Sequence, residues 1–286
     1  MGNRNLLTNP CWSAKDLGKA LPDSPHAVSV ALPRWEDVIA YEEKDPSVIN
    51  ELRAIYPRFG LNPLVKEIAE RAIKATNCHK CSAWPYPDII TAKKAKTHCQ
   101  KSENGNTFIA EVLGLPCLIA DAQATSTAKA FWQHTGLGAS SRLAAIALNQ
   151  EKAPSSRAGN NARLILRNRL ADIYCCQPDN VSLHPSGMSA LTSALEAITE
   201  LSPNRPTLQL GFPYVDVLKL PQVIFQGSHL LLETDLKHIA AELDYKRPSA
   251  VIVELPSNPM LQCIDLPKVS KLAHERGIPL IADDTI

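Results

Sequence analysis

Charge of either sign is not in excess: 30 Lys and Arg stand against 29 Asp and Glu in 286 residues, a formal net charge of +1. So balanced a chain is not a dedicated binder of nucleic acid or of anionic membranes, which would need a clear basic surplus. Long apolar runs are lacking too. A membrane helix needs roughly 18 consecutive apolar residues, and the best stretches here, 249–255 and 278–282, are strand-length. A soluble protein is expected. The N-terminus has Arg4 but no apolar segment before Asn9 and Pro10, and Leu6 stands where a myristoylation signal after Gly2 wants Ser or Thr. A cytoplasmic location is therefore the default expectation. Glycine is scarce, 12 residues against 22 prolines, which excludes collagen-like, flexible-linker and low-complexity classes and suits a loop-rich enzyme.

Two nucleotide grips are missing. No G-x4-G-K-[ST] segment occurs, so an ATPase would lack its phosphate loop. Gly136-Leu137-Gly138 has Ser141 where the third glycine of a dinucleotide fingerprint would fall.

The eight cysteines read as ordinary reduced thiols rather than a disulfide framework. Cys78-His79-Lys80-Cys81 and His98-Cys99 form the one metal-like constellation. Adjacent His and Cys diverge on a helix or strand, so tetrahedral closure would need a special turn, and incidental cysteines are the favoured reading over zinc.

Two halves with different patterns follow. Residues 1–160 mix proline-rich loops (22–25 and 85–87) with short helical patterns such as Leu64, Ile68 and Ala72, and no regular alternation of strand and helix can be read there. Segments 53–63 and 131–142 read as functional loops. From 161 onward, helices are expected at 162–174, 189–201, 236–243 and 266–276, the last ending at Gly277. Strands are expected at 181–183, 207–210, 228–233, 250–255 and 279–283. Strands apolar on both faces that alternate with helices indicate an α/β layer with a mainly parallel sheet.

In such sheets ligands bind where the carboxyl ends of strands meet loops and helix N-termini. Ser186-Gly187-Met188, at the start of a helix, could cup a phosphate with its backbone N–H groups, or could be a plain turn with Ser as N-cap. Asp283, the first acid after an apolar strand, could hold a protonated ring nitrogen, or cap a helix. Tyr214 could lie over a flat heteroaromatic ring or simply pack, and Asn258 could donate to a ring hydroxyl or shape a turn. Together an anion site, a stacking face, an amide donor and a carboxylate are the handles of pyridoxal 5'-phosphate.

The stretches Val253-Glu254-Leu255-Pro256-Ser257-Asn258-Pro259, Ile264-Asp265-Leu266 and Ile281-Ala282-Asp283-Asp284-Thr285 resemble the cofactor-domain signature of the cystathionine gamma-synthase family, the Cys/Met-metabolism enzymes of fold type I. Pro185-Ser186-Gly187-Met188-Ser189-Ala190 is similar to its phosphate loop and Tyr56-Pro57-Arg58 to its tyrosine-x-arginine arm. Pro25-His26-Ala27-Val28-Ser29-Val30 and Trp132-Gln133-His134-Thr135-Gly136 resemble the longer branch found in fungi.

The resemblance implies a fold type I pyridoxal-phosphate-dependent transferase with an incomplete, mainly parallel sheet covered by helices on both faces. Residues 1–160 would be an N-terminal arm and family-specific insertion, and 161–286 a partial cofactor domain. Gly187 and Met188 would bond the phosphate, Tyr214 would stack on the ring, Asn258 would bond the ring oxygen and Asp283 the ring nitrogen. Tyr56 and Arg58 would reach the phosphate of a neighbouring subunit, making a homo-oligomer. The implied reaction is trans-sulfuration in methionine biosynthesis: an O-acylhomoserine plus cysteine giving cystathionine, or the chemistry of a related lyase or sulfhydrylase. The family's Schiff-base lysine follows the Asp-x-Thr strand, and the sequence stops at Ile286 before one appears. The chain alone is thus expected to be an inactive fragment, a complementing half of a split enzyme, or a non-catalytic interaction subunit.

Overall fold

A computed structural model describes residues 4–57, 59–102 and 105–285. The chain divides into two compact units, Met1–Gln133 with Leu137–Ser155, and His134–Gly136 with Ser156–Ile286.

The first unit opens with a two-stranded antiparallel ribbon, β1 (Ala20–Leu21) and β2 (Ser29–Val30), and the short helices α1 (Trp35–Glu42) and α2 (Pro46–Ile49). Helix α3 (Pro63–Thr76) starts where Pro63 presets the first turn and Asn62 Oδ1 accepts from Leu64 N–H. Strands β3 (Ser82–Pro85), β4 (Thr107–Val112) and β5 (Leu115–Ala120) form an antiparallel sheet of order β3-β5-β4, with α4 (Ile89–Lys101) inserted between the first two. The α3 stripe of Leu64, Val65, Ile68 and Ala72 packs on Cys117 and Ile119 of the central strand, β5. Helices α5 (Thr125–Thr135) and α6 (Ser141–Ala147) follow.

This sheet was not legible in the sequence. Pro85 closes β3 rather than belonging to a loop, and Pro116 sits in the central strand opposite Glu111. Residues 131–135, expected in a loop, complete α5, with Phe131 and Trp132 buried. The cysteines also depart from the reduced-thiol expectation: Cys78 is bonded to Cys81.

The second unit begins with α7 (Ser156–Ile173) and α8 (Gly187–Leu201), then alternates β6 (Thr207–Leu210), α9 (Val215–Ile224), β7 (Ser228–Leu231), α10 (Leu236–Lys246), β8 (Val251–Glu254), α11 (Leu266–His274) and β9 (Leu280–Asp283). All pairings in its sheet, of order β7-β6-β8-β9, are parallel. Two-residue periodicity decides which helices each strand meets. Val251 and Val253 of β8, with Leu208 and Leu210 of β6, face Ile239 and Leu243 of α10 and Val269 and Ala273 of α11. Ile252 faces the other way, onto Leu195 of α8 and Val217 and Leu220 of α9. On that side Gln209 is fully buried, and its Nε2 donates to the Val217 carbonyl at 2.6 Å.

The expected strand at 181–183 is absent. Residues Pro178–Asn180 form a 3-10 turn, and the segment after it pairs with no strand among the described residues. An extended run with no hydrogen-bonding neighbour does not make a strand. Helix α9, with Pro221 inside it, had no counterpart among the expected elements. Among the described residues no helix is long and apolar enough to cross a membrane.

Ile252 joins the sheet to α8 and α9, so Ile252→Ala is expected to cost about 2–5 kcal/mol, read as a lowered urea midpoint with unchanged slope.

Candidate functional site

The carboxyl ends of β6, β8 and β9 lie side by side, and one buried carboxylate links their loops. Glu254, the last residue of β8, is 6% exposed. Its Oε2 accepts the backbone N–H of Tyr214, the N-cap of α9, at 2.5 Å. The backbone N–H of Asn258, in the loop after β8, also donates to this carboxylate. Across the ladder, Glu254 is the register partner of Asp283 at the end of β9. Burial pushes the Glu254 carboxyl above its usual range; the two N–H donors oppose that shift and the negative Asp283 adds to it.

Asp283 is half-buried. Its Oδ1 accepts from the Thr285 N–H at 3.1 Å and from the Thr285 hydroxyl. Its Oδ2 accepts no hydrogen bond among the described residues. The Asn258 side chain is exposed, and Tyr214 is half-buried against the cluster of Leu195, Val217, Leu220 and Ile252. Met188 and Ile281 join that same cluster, which brings the first turn of α8, the start of α9 and strand β9 to one neighbourhood.

Helix α8 begins at Gly187, with Ser186 as N-cap: Ser186 Oγ accepts from Ser189 N–H at 3.1 Å, and Ser189 Oγ in turn accepts from Ser186 N–H at 3.0 Å. The N–H groups of Gly187 and Met188 are left without a protein acceptor among the described residues. A Cβ at Gly187 would meet nothing within 4 Å. Packing therefore does not require glycine at that point, whereas close approach of a ligand anion to the backbone would. Without a preceding strand, this cup is positioned differently: Gly136, at φ +65°, lies so close that a Cβ there would be 2.6 Å from Ser186 Oγ and 2.9 Å from Ser189 N. Thr192 Oγ1 donates to the Thr135 carbonyl at 3.0 Å, tying the same segment to α8.

Tyr56, in the first unit, is 48% exposed, with its ring 5.9 Å from that of Phe59. Arg58 lies outside the described residues. An open cleft of about 400 Å³ adjoins Glu254 and is lined also by Gly211, Phe212, Thr234, Ser257 and Cys263; none of the residues expected to contact the cofactor lines it.

Three contributors escaped the sequence reading. Glu254 falls inside the family-like stretch 253–259, but as a lone charge closing an apolar strand it carries no sign of the two loops it joins. Gly136 belongs to the failed dinucleotide fingerprint and to the fungal-like stretch 132–136, neither of which points to its packing against Ser186. The buried pair His134 Nδ1 and Asp216 Oδ1, 3.2 Å apart, gave no sequence signal, because the two residues are distant along the chain.

The profile of the Cys/Met metabolism PLP-dependent enzymes matches residues 119–286. The chain belongs to that family. Pyridoxal phosphate is the family's cofactor, and the residues present fit it: two free amides beside an open glycine for a phosphate, and a carboxylate with a free oxygen for a ring nitrogen. The fold type I assignment follows, with a parallel sheet between helices.

Among its relatives, L-2-amino-4-chloropent-4-enoate dechlorinase/desaturase of Streptantibioticus cattleyicolor is 29% identical over 94% of this chain and 56% of its own length. The cystathionine gamma-synthase-like enzyme iboG2 of Amanita muscaria is 24% identical over 93% and 59%. The putative cystathionine gamma-synthase YML082W of Saccharomyces cerevisiae is 23% identical over 96% and 65%. The chain thus spans somewhat under two thirds of the length of these relatives. Both units have counterparts in them, since the matches cover nearly the whole chain.

Two expected outcomes test the geometry. Gly136→Ala forces a side chain into left-handed backbone and onto Ser186, and is expected to cost about 1–3 kcal/mol, measured by urea unfolding. At Glu254 a raised carboxyl pKa means that folding disfavours the charged form. Stability should therefore decline as pH rises from the unfolded carboxyl range near 4 to the folded pKa, and then level off. That decline is expected to vanish in Glu254→Gln; Glu254→Leu should lose about 1–3 kcal/mol for each orphaned N–H.

Proposed function

We propose that the chain cradles pyridoxal phosphate in an enzyme that replaces or eliminates a group at the γ-carbon of an amino acid, of the cystathionine gamma-synthase type. The observation that supports this reading most is the pairing of an open Gly187 cup with the Asp283 carboxylate on strands joined through Glu254 and packed on one cluster. In this reading Gly187 and Met188 N–H groups hold the phosphate, aided by the helix dipole of α8. Tyr214 lies against the ring, Asn258 donates to the ring oxygen and Asp283 keeps the ring nitrogen protonated. Tyr56 and Arg58 serve the phosphate of a second subunit in a homo-oligomer. When bound, the cofactor supplies an electron-withdrawing ring that stabilises negative charge at the substrate α-carbon; the residues named here hold and orient it.

The substrates in this reading are an O-acylhomoserine and cysteine, with cystathionine as product. A second reading, elimination at the γ-carbon, is favoured by one observation. The alignment with the bacterial dechlorinase/desaturase needs only 282 positions for 94% of this chain, whereas that with YML082W needs 425 for 96%. The bacterial protein therefore follows this chain with few interruptions, and the yeast protein carries insertions within the matched stretch.

Titration of the chain with pyridoxal phosphate, followed by protein fluorescence and by cofactor absorbance, tests the cradle. Saturable binding is expected, competed by inorganic phosphate. Gly187→Ala and Asp283→Asn are each expected to weaken it by about tenfold, or about 1.4 kcal/mol, with unfolding midpoints held or, for Gly187→Ala, slightly raised. Equal binding by both variants would defeat the reading.

A further inference from the structure

The one cysteine motif that the cofactor site does not absorb is Cys78-His79-Lys80-Cys81. Helix α3 ends there, with Asn77 in the left-handed region at φ 53° and the Cys78 N–H bonded to the Ile73 carbonyl. Cys81 N–H donates to the Cys78 carbonyl at 2.8 Å, closing a turn, and β3 begins at the next residue. The turn holds the two Cα atoms 5.4 Å apart, within the span a disulfide bridges, and the sulfurs are bonded.

We propose that Cys78 and Cys81 form a thiol–disulfide exchange site that opens and closes against small thiols of the glutathione class while the surrounding unit stays folded. Three features carry this. First, the Cys81 N–H to Cys78 carbonyl bond closes the turn alongside the sulfur bond, so the backbone has a tie that survives opening of the disulfide. Second, the two cysteines are three residues apart; so short a loop removes less entropy from the unfolded chain than a long one, and the unit is expected to stay folded when the bond opens. Third, both cysteines are only partly buried, and the turn between them exposes His79 and Lys80, with Lys74 exposed in the last helical turn. Exchange depends on an external thiolate reaching the sulfurs, which this exposure allows.

In the exchange, an external thiolate attacks one sulfur, breaking the Cys78–Cys81 bond and leaving a mixed disulfide and a protein thiolate. A second external thiolate attacks the mixed disulfide. The products are the protein dithiol and one external disulfide; two external thiols are oxidised as one protein disulfide is reduced.

Other cysteines provide the contrast. Burial pushes the Cys99 thiol up to about 11 and Cys117 to about 12, which makes both poor nucleophiles.

The test equilibrates the full chain at neutral pH over a series of reduced-to-oxidised glutathione ratios, quenches with acid, alkylates, and reads the 78–81 peptide by mass spectrometry alongside far-UV circular dichroism. Two labels at the reducing end, none at the oxidising end and an unchanged spectrum throughout are expected. Cys78→Ser should accumulate a glutathione adduct on Cys81. The proposal is overturned if both thiols stay free at every ratio, if the bond reduces only when the spectrum shows unfolding, or if the reduced pair retains stoichiometric zinc. None of these outcomes depends on the cofactor reading.

Discussion

A carboxylate at the end of a central strand, withdrawn from water, must be given hydrogen bonds or carry a penalty that would disfavour the fold. Glu254 is given two, from the backbone N–H groups of Tyr214 and Asn258. This requirement fixes the loops that follow β6 and β8 relative to each other, and the β8–β9 register then sets Asp283 beside them. Every side chain proposed to touch the cofactor ring is thereby placed with reference to one buried acid. Asp283 is satisfied differently: Thr285 donates to one oxygen, and the other accepts no hydrogen bond among the described residues.

The phosphate cup follows a separate constraint. A helix N-terminus has amides to spare, and the Ser186–Ser189 capping pair uses some of them while leaving those of Gly187 and Met188. Gly136 and Gly187 serve opposite ends. Gly136 is small because protein packs against it; Gly187 is small although nothing does. Shared packing of Met188, Tyr214 and Ile281 in one cluster links the first turn of α8 to the start of α9 and to β9 through the hydrophobic interior.

Much of the second unit could be read from the chain. Its strands are short apolar runs and its helices carry apolar stripes, so pattern and structure agree for β6, β8, β9, α10 and α11. The pattern misled where local apolarity had no partner, as at 181–183, and where proline disguised an element, as Pro221 does in α9. Proline also hid the first sheet: the edge strand β3 ends in one, as the rule for proline in sheets allows, and the central strand β5 contains another, which the rule disfavours. Tyr214, Asn258 and Asp283 stand out in the sequence as candidates because strand ends in parallel sheets are few and each carries one polar loop; Gly187 and Met188 stand out at a helix start, although the strand expected before them does not form. The joining role of Glu254 and the buried pair His134–Asp216 do not show in the sequence, since their meaning lies in partners far along the chain.

The cofactor cradle is tested most directly by amide chemical-shift mapping of the isotopically labelled chain as pyridoxal phosphate is added. The largest shifts are expected at Gly187 and Met188, accompanied by shifts at Tyr214, Asn258 and Asp283. Shifts confined to the cleft by Phe212 and Cys263, with the amides of Gly187 and Met188 unmoved, would contradict it.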